Sequence, residues 1–138
     1  MRLHVVADGA AAGEFAADEV LRELAARPDL VLGVATGSTP RSTWAALAAR
    51  GADLSRARAF ALDEYLDLPA DHPQSYRAVV DREIVGPLRL DPARVRVPGD
   101  DGRDEGAPER YERDLAAVGY VDVQVLGIGS NEIGRAHV

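Results

Sequence analysis

Apolar residues follow two alternating rhythms along this chain. From Ala10 to Arg27 they recur at Phe15, Val20, Leu21 and Leu24, with acids towards the start, which is the spacing of one helix face; Pro28 and Asp29 end the segment. Leu30 to Ala35 is instead a continuous apolar run, as expected of a strand buried on both faces. A tight polar turn, Thr36 to Thr39, leads to Pro40. Proline suits the first turn of a helix, here capped by Ser38 or Thr39, running to Ala49 and stopped by Gly51. The rhythm then repeats. A strand is expected over 57–62, a loop over 63–73, a helix over 74–84, a short strand over 94–97 and a Gly- and Asp-rich loop over 98–102. A helix over 104–118 carries Tyr111, Leu115 and Val118 on one side, and a last apolar strand covers 121–128. Arg2 to Ala7 reads as a first strand. Strands that alternate with helices predict a three-layer α/β/α fold with a mainly parallel, Rossmann-like sheet and right-handed crossovers. Ligands of such sheets bind at the carboxyl ends of the strands.

Bulk properties narrow the function classes. A chain of 138 residues suits one domain with a real core. No run approaches the roughly 20 apolar residues of a membrane span, and Met1 to Val6 has too short an apolar run for a signal peptide. The chain has no Cys, so neither disulfides nor thiolate chemistry is available and a cytoplasmic location is expected. With a net charge of −7 and no basic stripe, nucleic acid is not an expected partner. All 16 basic residues are Arg, so no Lys can form a Schiff base within this segment.

Three loops could carry chemistry. In Ala35-Thr36-Gly37-Ser38-Thr39-Pro40, Gly37 permits close backbone approach, and the helix that follows offers free amides and the positive end of its dipole to a phosphate. Simple helix capping is the competing reading of the same turn. The Gly-Lys-Ser/Thr ending of a Walker loop is absent. The second loop is Leu62-Asp63-Glu64-Tyr65-Leu66, followed by His72-Pro73-Gln74-Ser75-Tyr76. A carboxylate directly after a buried strand, partly desolvated, is placed for general-base work; an ordinary cap or surface acid is the alternative. His72 is expected to be a loop histidine, because no second His or Cys gives metal spacing. In the third loop, Leu126-Gly127-Ile128-Gly129-Ser130-Asn131, two glycines follow a strand. The third glycine of the dinucleotide fingerprint is missing, which argues against NAD.

Together the three loops resemble those of the glucosamine-6-phosphate deaminase family. ATGSTP at Ala35 to Pro40 is similar to its phosphate loop, LDEYLDLPADHPQSY at Leu62 to Tyr76 to its most specific block, and LGIGSN at Leu126 to Asn131 to the opening of its third motif. The similarity runs from Met1 to Asn131, which makes 1–131 the N-terminal part of a single sugar-phosphate isomerase/deaminase domain. The resemblance implies conversion of glucosamine 6-phosphate and water to fructose 6-phosphate and ammonia, with no organic cofactor and no metal. Asp63 matches the base that moves a proton between C2 and C1. Thr36, Gly37, Ser38 and Thr39 match positions around the substrate phosphate, and Asn131 matches a position that supports the catalytic histidine. A small-molecule sugar phosphate is the expected partner, with no nucleic acid and no membrane; a homo-oligomer of the full-length protein is compatible with this. The related 6-phosphogluconolactonases share the fold and a similar first loop. Their second motif reads Asp-Glu-Arg without the His-Pro-x-Ser-Tyr block, so Tyr65 and His72 to Tyr76 favour the deaminase. A sugar-phosphate sensor domain of a transcription regulator is a further alternative, but such a sensor has no need of a base at Asp63.

After Asn131 the chain departs from the family, which continues Gly-His-Ile. Here Glu132-Ile133-Gly134-Arg135-Ala136-His137-Val138 follows, and His137 does not align with the ring-opening histidine. These seven residues can be translated from GAGATCGGAAGAGCACACGTC, which contains the start of a common sequencing adapter. We therefore expect 132–138 to be a non-native tail, the fold to be truncated at the C-terminus, and the fragment to be inactive and aggregation-prone by itself.

Overall fold

The computed structural model describes residues 2–69 and 71–128. Its frame is a parallel sheet of four strands: β1 (Val31–Val34), β2 (Arg58–Ala61), β3 (Val95–Arg96) and β4 (Val123–Gln124), in the order β3-β2-β1-β4. Helix α1 (Gly9–Ala26) precedes β1, α2 (Ser38–Ala49) joins β1 to β2, and α4 (Ala107–Ala117) joins β3 to β4. Between β2 and β3, α3 (Tyr76–Val80) runs on into a π-helical turn, Asp81–Val85, and a short 3-10 turn, Pro92–Arg94. The α/β/α architecture expected from the alternating pattern is therefore present.

All four residues of β1 are buried, and their neighbours explain why. Val31 to Val34 pair with Arg58 to Ala61 on one side, and Leu32 and Gly33 pair with Val123 and Gln124 on the other. Alternate side chains then serve opposite faces. Leu32, Val34, Ala59 and Ala61 enter the main core with Val20 of α1, Trp44 and Leu47 of α2, and Val80 and Ile84 of the α3 segment. The other face carries Gly33, Phe60 and Arg96 in register. Phe60 meets the Tyr111 ring of α4 edge-on at 5.7 Å, and Arg96 pairs with Asp114 of α4 at 3.0 Å. No residue of α4 is fully buried, so this layer rests lightly on the sheet.

The expected elements hold with shifted ends, and each shift has a local cause. Helix α1 starts at Gly9 because the Asp8 side chain accepts the Ala11 N–H at 2.8 Å. Gly37, at φ 105°, occupies the position before α2 and leaves its start without a side-chain cap; Ser38 and Thr39 lie inside the helix and do not cap it. The helix expected from Gln74 starts at Tyr76, where Ser75 caps it. The helix expected from Asp104 starts at Ala107, because the Asp104 side chain holds the turn before it, accepting the Gly106 N–H. The expected strand over 121–128 contracts to Val123–Gln124, although Asp122 and Val125 still donate to Val31 and Gly33. Arg2 to Ala7 forms no strand. A strand exists only by pairing, no described strand flanks this segment, and Leu3 and Val5 are 82% and 89% exposed. None of the described helices is long and apolar enough to cross a membrane.

Gly13 marks the tightest helix contact. A Cβ built there would lie 2.6 Å from the backbone carbon and Cβ of Ser42 on α2. Helix propensity alone would favour Gly13→Ala by about 1 kcal/mol, but forcing the two helices apart costs about 1–3 kcal/mol. Gly13→Ala is expected to lower the midpoint of urea unfolding at unchanged m-value; a raised midpoint would show that α1 and α2 separate without cost.

Candidate active site

The strand order reverses at β1: the chain steps from β1 to β2 to β3 on one side, then returns to place β4 on the other. The carboxyl end of such a switch point is where open α/β sheets bind ligands. Two of the three loops singled out in the sequence, the first and third, flank it, and the second leaves the adjacent strand β2. The Leu62 N–H donates to the Val34 carbonyl at 3.2 Å, tying the start of the second loop to the end of β1.

The first loop is held from below and from the side. Trp44, buried in α2, donates its indole N–H to the Ala35 carbonyl at 3.0 Å, fixing the exit from β1. Thr36 is buried, Gly37 is half-buried, and Ser38 and Thr39 are exposed. Gly37 has a positive φ that side chains rarely adopt, and the helix behind it has neither a side-chain cap nor an acid in its first turn. Helix α2 therefore presents an uncapped, positively polarised start at the reversal point. The Thr39 hydroxyl donates to the Ile128 carbonyl at 3.1 Å, and a Cβ at Gly127 would meet Pro40 at 2.9 Å. Close packing of the third loop on the first thus explains Gly127. Asn131 lies outside the described residues.

In the second loop the two adjacent acids take different tasks. Glu64 spends both oxygens on backbone amides: Oε1 accepts from Tyr65 and Tyr76 at 2.8 Å each, and Oε2 from Arg77 at 2.9 Å. It therefore supplements Ser75, whose hydroxyl caps α3 by accepting the Ala78 N–H at 3.1 Å. His72 is a loop residue, as expected; its Nδ1 accepts the Gln74 N–H at 3.1 Å and shapes the turn before the cap. Tyr65 and Tyr76 stack at 4.6 Å with their hydroxyls 3.1 Å apart. The DEY and HPQSY segments are thus one construction, joined by Glu64 and the tyrosine pair. Asp63, half-buried, sits between this construction and the end of β2.

Tyr111 completes the surroundings. Its hydroxyl donates to the Ala61 carbonyl, two residues before Asp63. Burial pushes the phenol well above its ordinary value, helped by negative charge on Asp100, Asp63 and Glu112, so it remains a protonated donor. Beside it a groove of about 560 Å³ opens between Leu62, Tyr65 and Leu66 of the second loop and Arg103, Pro108 and Tyr111 near the start of α4. Sequence reasoning placed Tyr111 on one side of its helix but missed its bond to Ala61, and it missed Glu64 as a clamp and the link from Thr39 to Ile128. Among the described residues no group of three or more His, Cys, Asp or Glu is arranged to hold a metal ion.

The geometry describes an α/β domain with an uncapped helix start and a neighbouring carboxylate at a sheet reversal, a layout for handling a small anionic molecule. Residues 7–132 match the family model of the glucosamine-6-phosphate isomerases/6-phosphogluconolactonase, and the chain belongs to that family. A curated glucosamine-6-phosphate deaminase of Streptomyces avermitilis is 46% identical over 136 residues, covering 95% of this chain and 52% of the relative. One from Bifidobacterium longum subsp. infantis is 45% identical over 140 residues, covering 92% and 52%. The chain thus spans about half the length of the curated relatives it matches. A solved monomeric glucosamine-6-phosphate deaminase superposes with a TM-score of 0.88 at 29% identity, over 97% of this chain and 58% of that one. A 6-phosphogluconolactonase from Thermotoga maritima gives 0.77 at 21% identity, over 95% and 61%, which is a likeness of fold alone.

The loop that walls the groove is held by Arg110, which bonds Asp101, Asp104 and the Gly102 carbonyl. The Arg110 guanidinium, with the Gly106 N–H, lowers the Asp104 carboxyl to about 2. A depressed folded value means that the pairing favours the folded loop above the ordinary carboxylate range and that this is lost as pH falls towards about 2. By carboxyl NMR, Arg110→Gln is expected to return the Asp104 midpoint towards about 3.9; an unchanged midpoint would assign the effect to the Gly106 amide.

Proposed function

We propose that residues 1–131 are the N-terminal part of a glucosamine-6-phosphate deaminase domain and that 132–138 are a non-native tail. The observation that carries this reading is the joined DEY and HPQSY construction, which orders the loop next to the half-buried Asp63, just after the strand paired with the one that leads into the start of α2. The names of the curated relatives, at 42–46% identity, support the deaminase over the lactonase; the lactonase structures, at 19–22%, speak to fold.

The substrate phosphate binds at Thr36, Gly37, Ser38 and Thr39, where backbone amides and the helix dipole meet its charge. The sugar opens to its aldehyde. Asp63 removes the proton from C2, the electron pair moves to form an enol, and the same carboxyl returns a proton to C1. The imine left at C2 adds water and releases ammonia and fructose 6-phosphate. Asn131 supports the ring-opening histidine of the full-length protein. No cofactor or metal enters these steps. A cysteine-free chain without a membrane-crossing helix among its described residues is consistent with work in the cytoplasm on a soluble metabolite.

In the full-length gene product, Asp63→Asn is expected to lower kcat for ammonia release from glucosamine 6-phosphate by about 10²–10⁴-fold while sugar-phosphate binding persists. A wild-type protein that binds the sugar phosphate without turnover would instead indicate a sensor. The 138-residue chain by itself carries Ile133 where the family has its ring-opening histidine, and is expected to release no ammonia. Turnover by that chain, purified as a monomer, would overturn the boundary at Asn131.

A further inference from the structure

We infer that Glu64 is a positioning residue that sets the angle at which Asp63 meets its substrate; this rests on the deaminase reading. Asp63 is bracketed. On its N-terminal side, the Ala61 carbonyl accepts the Tyr111 hydroxyl and the Leu62 amide donates to Val34 at 3.2 Å, so the chain reaches Asp63 from a fixed sheet. On its C-terminal side the next residue is Glu64, whose carboxylate reaches across the loop to the Tyr76 and Arg77 amides at 2.8 and 2.9 Å. Asp63 lies directly between those two anchored residues. The loop itself has little regular structure over 63–69, and Leu66 is 86% exposed, so core packing alone does not fix it. The Glu64 bonds supply that order. They are charge-assisted, they lie at a helix start where negative charge is favoured, and they span 12 and 13 residues of sequence.

Glu64 is not itself placed as the base. Both of its oxygens point at peptide N–H groups, and protonation would place a donor against a donor. Glu64→Gln has the same consequence: the amide keeps one acceptor but turns NH₂ towards either Tyr76 or Arg77. Loss of the clamp lets Asp63 drift, and misplacement by about 1 Å can cost 10²-fold in rate.

The test uses the full-length gene product with glucosamine 6-phosphate, and the 138-residue chain for amide exchange. Glu64→Gln is expected to lower kcat by about 10- to 100-fold, with KM within about threefold. The acid limb of the pH profile of kcat/KM should persist, because Asp63 remains the base. Asp91→Ala removes a side-chain cap of the same kind from the separate turn Pro92–Arg94 without touching Glu64, and should keep kcat within about threefold. In the 138-residue chain, Glu64→Gln should speed exchange of the Tyr76 and Arg77 amides while those of β1 stay protected. Unchanged kcat in Glu64→Gln, or an equal fall in Asp91→Ala, overturns the positioning role. Loss of the acid limb overturns it differently, by making Glu64 the base. An inactive wild-type protein instead removes the deaminase reading, and the exchange data then still report whether the clamp exists.

Discussion

Strand β1 is buried on both faces, so each of its peptide groups must find a partner in a neighbouring strand or a nearby side chain. This requirement organises the molecule. It draws β2 to one side and β4 to the other, and it recruits Asp122, whose carboxylate accepts the Val31 N–H at 2.8 Å while holding Arg27 at 2.5 Å. Because all pairings are parallel, the chain leaves β1, β2 and β4 at the same edge. The three loops with unusual chemistry are neighbours because the strand between them cannot be left unpaired.

Much of the frame was legible because burial writes itself into sequence. The continuous run Leu30 to Ala35 announced a two-sided strand, and the spacing of Val20, Leu21 and Leu24 announced α1. Gly51, at φ 66°, ends α2 as its position suggested. What escaped detection depends on contacts distant in sequence. Nothing local to Glu64 indicates that its oxygens are taken by residues 12 and 13 positions later. Nothing local to Tyr111 tells that its hydroxyl bonds Ala61, 50 positions earlier. Arg2 to Ala7 is the converse case: its composition suits a strand, but composition cannot supply the neighbour a strand requires. Ser38 and Thr39 misled for another reason. Both have the chemistry of a cap, yet Gly37 takes the capping position with a backbone angle open to glycine.

That misplaced cap bears on function. A serine or threonine at the cap would satisfy amides at the start of α2 with its own oxygen and so compete with a bound anion. With Gly37 there, the side chain is absent and the amides keep their capacity. Thr39 uses its hydroxyl on Ile128, fixing the third loop. The first loop therefore divides its work: glycine puts no side chain over the start of α2, where the proposed anion would bind, and threonine joins this loop to the next.

The spacing of the sheet then matches the proposed chemistry. Adjacent strands lie about 4.8 Å apart, and the first loop leaves β1 while Asp63 follows β2. In the proposed chemistry, a sugar held by its phosphate at the start of α2 presents C2 six bonds from phosphorus, further than one strand spacing, so it reaches from one loop to the next. On that proposal the first loop and Asp63 engage opposite ends of the same open-chain molecule. Placement on adjacent parallel strands gives the separation directly, and the clamps at Ala35, Ala61 and Glu64 preserve it against the mobility expected of an exposed loop.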